Sequence, residues 1–142
     1  MTRMVNYHVL QAAVDAVYLC AMCAEDGTVS IGITRDPLQR LAKARPHPMA
    51  AQWAWVGSAA RGKAIERRLR KEWAARHRAG EGFRFDYAAE GAAFRSGLNA
   101  AFEECVGRPA EWEKVAGEAL VELIRAHAVE AGRSLRLRFP GR

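Results

Sequence analysis

The segment AVYLCAMCAEDGTVSIGI, residues 16–33, constrains this chain more than any other stretch. Two apolar runs of strand length flank Asp26-Gly27, a pair that reverses a chain tightly because both residues take positive φ at low cost. The segment therefore predicts a β-hairpin with strands over 16–23 and 28–33. Thr34-Arg35-Asp36-Pro37 comes next, where Asp36 suits a helix N-cap and Pro37 the first helical position. Leu38 and Leu41 begin a short helix there. Arg45-Pro46-His47-Pro48 must end it, because a residue before proline is pushed out of the α region.

Residues 51–58, AQWAWVGS, alternate Trp53 and Trp55 onto one face and predict a third strand. A helix over 62–79 follows, with Ile65, Leu69 and Trp73 at four-residue spacing as its buried stripe and Gly80 as its C-cap. GEGFRFD, residues 80–86, reads as a short extended or turn segment. Past residue 88, AAEGAAFRSGLNAAFEECV and EWEKVAGEALVELIRAHAVEA read as two helices divided by Gly107-Arg108-Pro109. Leu120, Leu123, Ile124 and His127 give the second an apolar face, a docking surface for a partner or for a second copy in a homo-oligomer. The ending RSLRLRFPGR alternates Leu135, Leu137 and Phe139 with Arg136 and Arg138, and suits an edge strand, a basic arm or a frayed end alike. A hairpin followed by strands mixed with helices is an α+β arrangement. The expected form is a small three-stranded antiparallel sheet flanked by helices over 14–88, with a helical extension and basic tail over 89–142.

Half of the 142 residues are hydrophobic and 27% are charged, the balance of a globular chain rather than a disordered one. No apolar run approaches the ~20 residues of a membrane span, and MTRMVNYHVLQAAVDA lacks the features of a secretory signal. A cytoplasmic protein without a membrane partner is the expectation. The net charge of +6 is carried mostly by arginine, whose planar fork suits phosphate and makes nucleic acid a natural partner. A solvated basic surface in an arginine-favouring genome explains the same charge. Cys20 and Cys23 form a C-x-x-C, but inside a strand positions three apart face opposite ways, and no second ligand pair completes a zinc site. Buried thiols are expected instead.

Four residues carry candidate chemistry: Tyr18 in the first strand, Gly32 near the end of the second, Arg40 in the first helix and Glu66 in the second. Each has an ordinary role: a packed tyrosine, a solvated arginine, a glutamate paired with Arg70 one turn on. A glycine inside a strand often marks close approach by a ligand or another segment. Glu66 borders the buried stripe, which turns its carboxylate toward the sheet.

The order and spacing of these residues resemble the GIY-YIG nuclease superfamily. Val17-Tyr18-Leu19 stands for the first motif and Ser30-Ile31-Gly32 for the second, with Ala16 in place of the family glycine and Ser30 in place of its tyrosine. Arg40 follows Ser30 at the family spacing, and Ala64-Ile65-Glu66 matches the helix with the metal-binding glutamate. Gly80-Glu81-Gly82-Phe83 is similar to the ending of that region in the phage-T5-type branch. The family histidine falls on Ala44, with His47 as the substitute nearby, and Phe83 stands near the place of the family asparagine. The resemblance implies a metal-dependent endonuclease that hydrolyses DNA phosphodiester bonds. Glu66 would hold Mg²⁺ (or Mn²⁺), Arg40 would grip the scissile phosphate, and Tyr18 would orient or deprotonate the attacking water, with Ser30 and His47 beside them. Gly32, Arg35, Arg136 and Arg138 would touch the DNA. The alternatives are the same domain binding DNA without cutting it, and a helical interaction protein.

Overall fold

The computed structural model describes residues 17–45, 47–78 and 82–138, and for Tyr87 and residues 130–138 the backbone alone. Ala16, the expected cap Gly80, Glu81 and the chain end from Phe139 lie outside the described residues.

Strands β1 (Tyr18–Cys23) and β2 (Thr28–Thr34) form the anticipated hairpin, with Cys23 opposite Val29 and Cys20 opposite Gly32. Of the two turn residues offered for positive φ, only Gly27 uses it, at 87°. Asp26 contributes its carboxylate instead, accepting the Thr28 N–H at 2.9 Å. A Cβ on Gly27 would lie 2.5 Å from the Phe85 carbonyl oxygen, so a neighbouring segment demands glycine here as firmly as the turn does.

Helix α1 (Pro37–Lys43) begins as the sequence indicates, with Asp36 accepting the Gln39 N–H at 3.1 Å and Pro37 in the first turn. Strand β3 (Ala50–Trp55) returns along the other edge of β1. Helix α2 (Ala59–Glu72) is capped by the Ser58 hydroxyl and buries Ile65 and Leu69, and a 3₁₀ turn at Ala74–Arg76 follows. Then come β4 (Gly82–Arg84), α3 (Tyr87–Val106), β5 (Glu113–Ala116) and α4 (Gly117–Arg138).

The fold is α+β, and its antiparallel sheet has five strands, not three, in the order β4-β2-β1-β3-β5. The three anticipated strands occupy the centre; of the two edges, β4 falls in the segment 80–86 read above as extended or turn, and β5 was not anticipated. β4 is only three residues long and pairs with Thr28–Ser30, too short for a periodic signal. β5 falls in Glu-Lys-Val-Ala, read above as the start of a helix. Its composition has ordinary helix propensity, but the open edge of β3 pairs Val115 with Ala51 and Lys114 with Gln52, and tertiary pairing overrides a weak local preference. The RSLRLR stretch is also corrected. It belongs to the last turns of α4 rather than to an edge strand, because alternation over six residues of good helix formers does not break a helix already under way.

Strand alternation divides the core. Leu19, Ala21, Cys23, Val29 and Ile31 point to one face, covered by α2 and α3 through Ile65, Leu69, Phe94 and Leu98. Cys20, Met22 and Ala51 point to the other, against Leu41 of α1 and Leu120 of α4. Cys20 and Cys23 therefore fall on opposite faces, as expected of buried thiols. The apolar face of α4 meets the chain's own sheet and α1: Leu120 is 1% exposed, and Ile124 packs beside it. No helix among the described residues is long and apolar enough to cross a membrane.

Two carboxylates tie the outer turns together. Backbone and hydroxyl hydrogen bonds from Thr28 hold Asp26 below the usual carboxylate range. Glu90 is lowered by its pairing with Arg76 and by the Asp86 N–H, which it accepts at 3.0 Å. Both stabilise the fold above their unfolded values of about 4, and that contribution is lost as pH falls through the lowered folded values. The urea midpoint is expected to drop below about pH 4, and Glu90→Gln should make that acid limb shallower. An unchanged limb in the variant would remove Glu90 from the account.

Candidate functional site at the end of β2

β4 pairs with β2 from Thr28 to Ser30, and none of the described residues pairs with the stretch from Ile31 to Thr34 on that side. Glu66 reaches this stretch. Its position beside Ile65 on α2 carries it past the edge of the sheet, where Oε1 accepts the Ile33 N–H at 3.0 Å. Arg40 arrives from the opposite layer. α1 lays its guanidinium on the backbone of Gly32, where an added Cβ would stand 2.6 Å from Cζ and 2.8 Å from Nη1. Gly32 is thus the close-approach glycine that the sequence suggested, and what approaches is Arg40. Two helices on different faces deliver a cation and a carboxylate to consecutive residues of one strand, whose Cα atoms are about 3.8 Å apart.

A cleft of about 460 Å³ opens beside Arg40 and includes Ser30, Lys43 and Arg45 on its walls and Met22 at its floor. Among the described residues three cations and no carboxylate line it, so they favour an anion. Arg45 is braced against the end of α1 by hydrogen bonds from Nη1 to the carbonyls of Ala42 and Ala44, at 3.0 and 2.7 Å. Lys43 and Arg45 were not singled out from the sequence, where the run QRLAKAR was their only signal.

Tyr18 shares the sheet face of Ser30 and Gly32, since its partner in register is Thr34, two residues past Gly32. Diagonal neighbours of this kind stand roughly 7–8 Å apart. Its side chain, however, lines a second concavity of about 530 Å³ with Arg35, Asp36 and Trp53, at the other end of α1. The two concavities have no lining residue in common. The structure brings Arg40, Glu66, Gly32 and Ser30 together, and sets Tyr18 and Arg35 next door. His47 is exposed in the loop after α1 and lines neither concavity. Arg136 and Arg138 lie in the last turn of α4, with their side chains outside the described residues.

Among the described residues, no three His, Cys, Asp or Glu side chains cluster into a metal cage. Glu66 offers a single carboxylate with one oxygen anchored on the Ile33 N–H. Such a donor suits a hard Mg²⁺ ion, which keeps several waters and takes further ligands from a phosphate.

Comparison with protein-family models, curated proteins and solved structures finds no match for this chain.

Proposed function

We propose that this protein is a GIY-YIG-type endonuclease that hydrolyses DNA phosphodiester bonds with Mg²⁺ or Mn²⁺. The observation that carries the reading is the arrival of Arg40 and Glu66, from opposite faces, at the neighbouring residues Gly32 and Ile33 of β2. Phosphodiester hydrolysis needs positive charge on the developing phosphorane and an activated water. Arg40, permanently protonated and forked, binds two phosphate oxygens at once, and Gly32 lets the guanidinium lie flat on the strand. Glu66 would hold the metal through a carboxylate that the Ile33 N–H keeps in one orientation. When bound, the metal supplies Lewis acidity and lowers the pKa of water. The Ser30 hydroxyl, on the wall of the same cleft, orients the water or a phosphate oxygen. Tyr18, on the wall of the adjoining concavity, would orient the attacking water through its phenolic oxygen or, as a phenolate, take its proton.

Supercoiled plasmid incubated with the protein is expected to become nicked when Mg²⁺ or Mn²⁺ is added and to stay intact in EDTA. Glu66→Ala should lose nicking altogether. One observation favours a second reading, a domain that binds DNA without cutting it: Tyr18 lines a different concavity from Arg40. Wild-type protein that binds duplex DNA yet leaves plasmid intact under every divalent ion would replace the first reading with the second.

A further inference from the structure

Glu66 does not stand alone on α2. Lys63, Arg67 and Arg70 recur around it at spacings of three and four residues, which places all four on one side of the helix. Gly62, Ile65 and Leu69 hold the buried side against the sheet. On the flank toward α3, Arg68 spends its charge on Glu104, at 2.5 Å. The Glu66 flank is different. Lys63, Arg67 and Arg70 are all exposed, and among the described residues none of them forms an ion pair. The carboxylate that could have neutralised them bonds to the sheet edge at Ile33. Across that edge lies the cleft walled by Lys43 and Arg45, also without a carboxylate among the described residues.

We propose that the Lys63–Arg67–Arg70 stripe is a track for the sugar-phosphate backbone of duplex DNA, holding phosphates that neighbour the one at Arg40 and Glu66. This rests on the nuclease reading for its central phosphate. Lys63 to Arg70 spans roughly 10 Å along the helix at ~1.5 Å per residue. One strand of duplex DNA presents a charge about every 3.4 Å of the duplex axis, so three long side chains over this span reach up to about three phosphates. Exposed cations with no internal partner are free to neutralise phosphates, and release of the counterions condensed on the DNA then drives binding. The track makes the protein indifferent to base sequence at this surface, since phosphates position a duplex without reading it.

The test is fluorescence anisotropy with the full chain and a 20-base-pair duplex, free of divalent metal, over a salt series. The triple variant Lys63→Ala, Arg67→Ala, Arg70→Ala is expected to bind at least roughly tenfold more weakly. Its plot of log affinity against log salt should be shallower by about 2.7, at ~0.9 per lost phosphate contact. The charge-keeping triple Lys63→Arg, Arg67→Lys, Arg70→Lys should bind like wild type, as should Arg125→Ala on α4. A triple alanine variant with wild-type affinity and slope overturns the track, whether or not it has lost binding to phosphatidylserine vesicles. So does a wild-type protein with no affinity for the duplex. The expected difference in slope between wild type and the triple alanine variant, with a wild type that never nicks plasmid, supports the track while the nuclease reading fails. Nicking by wild type and by the triple alanine variant at equal rates and salt dependence overturns the track alone.

Discussion

Arg40→Ala is expected to slow metal-dependent nicking roughly 10³-fold, the scale of losing a preorganised positive group at a transition state. The fold should tolerate the change, because the core of that layer is built from Leu41, Cys20, Met22 and Leu120 rather than from Arg40. Arg40→Lys should recover little. A lysine ammonium is a point charge that cannot form the two-pronged contact with phosphate. Gly32→Ala offers a sharper version of the same experiment. The new methyl group would overlap the guanidinium, the far end of a flexible side chain, so the arginine moves and the strand stays. Nicking should then fall although Arg40 is still present, and the thermal midpoint should hardly change. Plasmid nicking and a thermal melt on the same samples check both halves. Wild-type nicking by Arg40→Ala would sink the active-site assignment.

Trp73→Ala should destabilise the protein by about 3–5 kcal/mol, the usual cost of removing a large aromatic from a core. That is a large share of a typical folding free energy of about 5–15 kcal/mol. Trp73 closes α2, its N–H donating to the Leu69 carbonyl at 2.7 Å, and its indole sits at a junction of three elements. Its ring meets Phe83 of β4 and Phe85 edge-on, at 5.4 and 4.9 Å, and lies 5.7 Å from Phe94 of α3. Removing the indole thus uncouples a helix, an edge strand and a second helix at once. Trp73→Phe should restore most of the loss. Urea unfolding followed by circular dichroism measures it, and a shift worth less than about 1 kcal/mol would show that the cluster closes around the gap.

What could be read from residues alone followed local rules. Asp36 and Pro37 mark the start of α1 wherever that helix packs, because capping and a fixed proline φ act within one turn. Ile65, Leu69 and Trp73 were legible as a buried stripe because period and burial coincide over about two turns. β5 was not legible: Glu113–Ala116 is a strand only because β3 presents an edge to it. The apolar positions Leu120 and Ile124 were visible, but not whether they meet another molecule or, as they do, the chain's own α1 and sheet.

The candidate site divides along the same line. The sequence by itself determined the residue types and their spacing: a glycine in a strand, an arginine on the next helix, a glutamate beside a buried stripe. Those are properties of neighbours along the chain. Only the tertiary structure decided that Arg40 covers Gly32, that Glu66 rounds the sheet edge to reach Ile33, and that Tyr18 faces a separate concavity. The physical reason is that each depends on where β4 stops along β2 and on which face each helix covers. Strand register and layer packing fix both, through contacts between residues far apart in the chain.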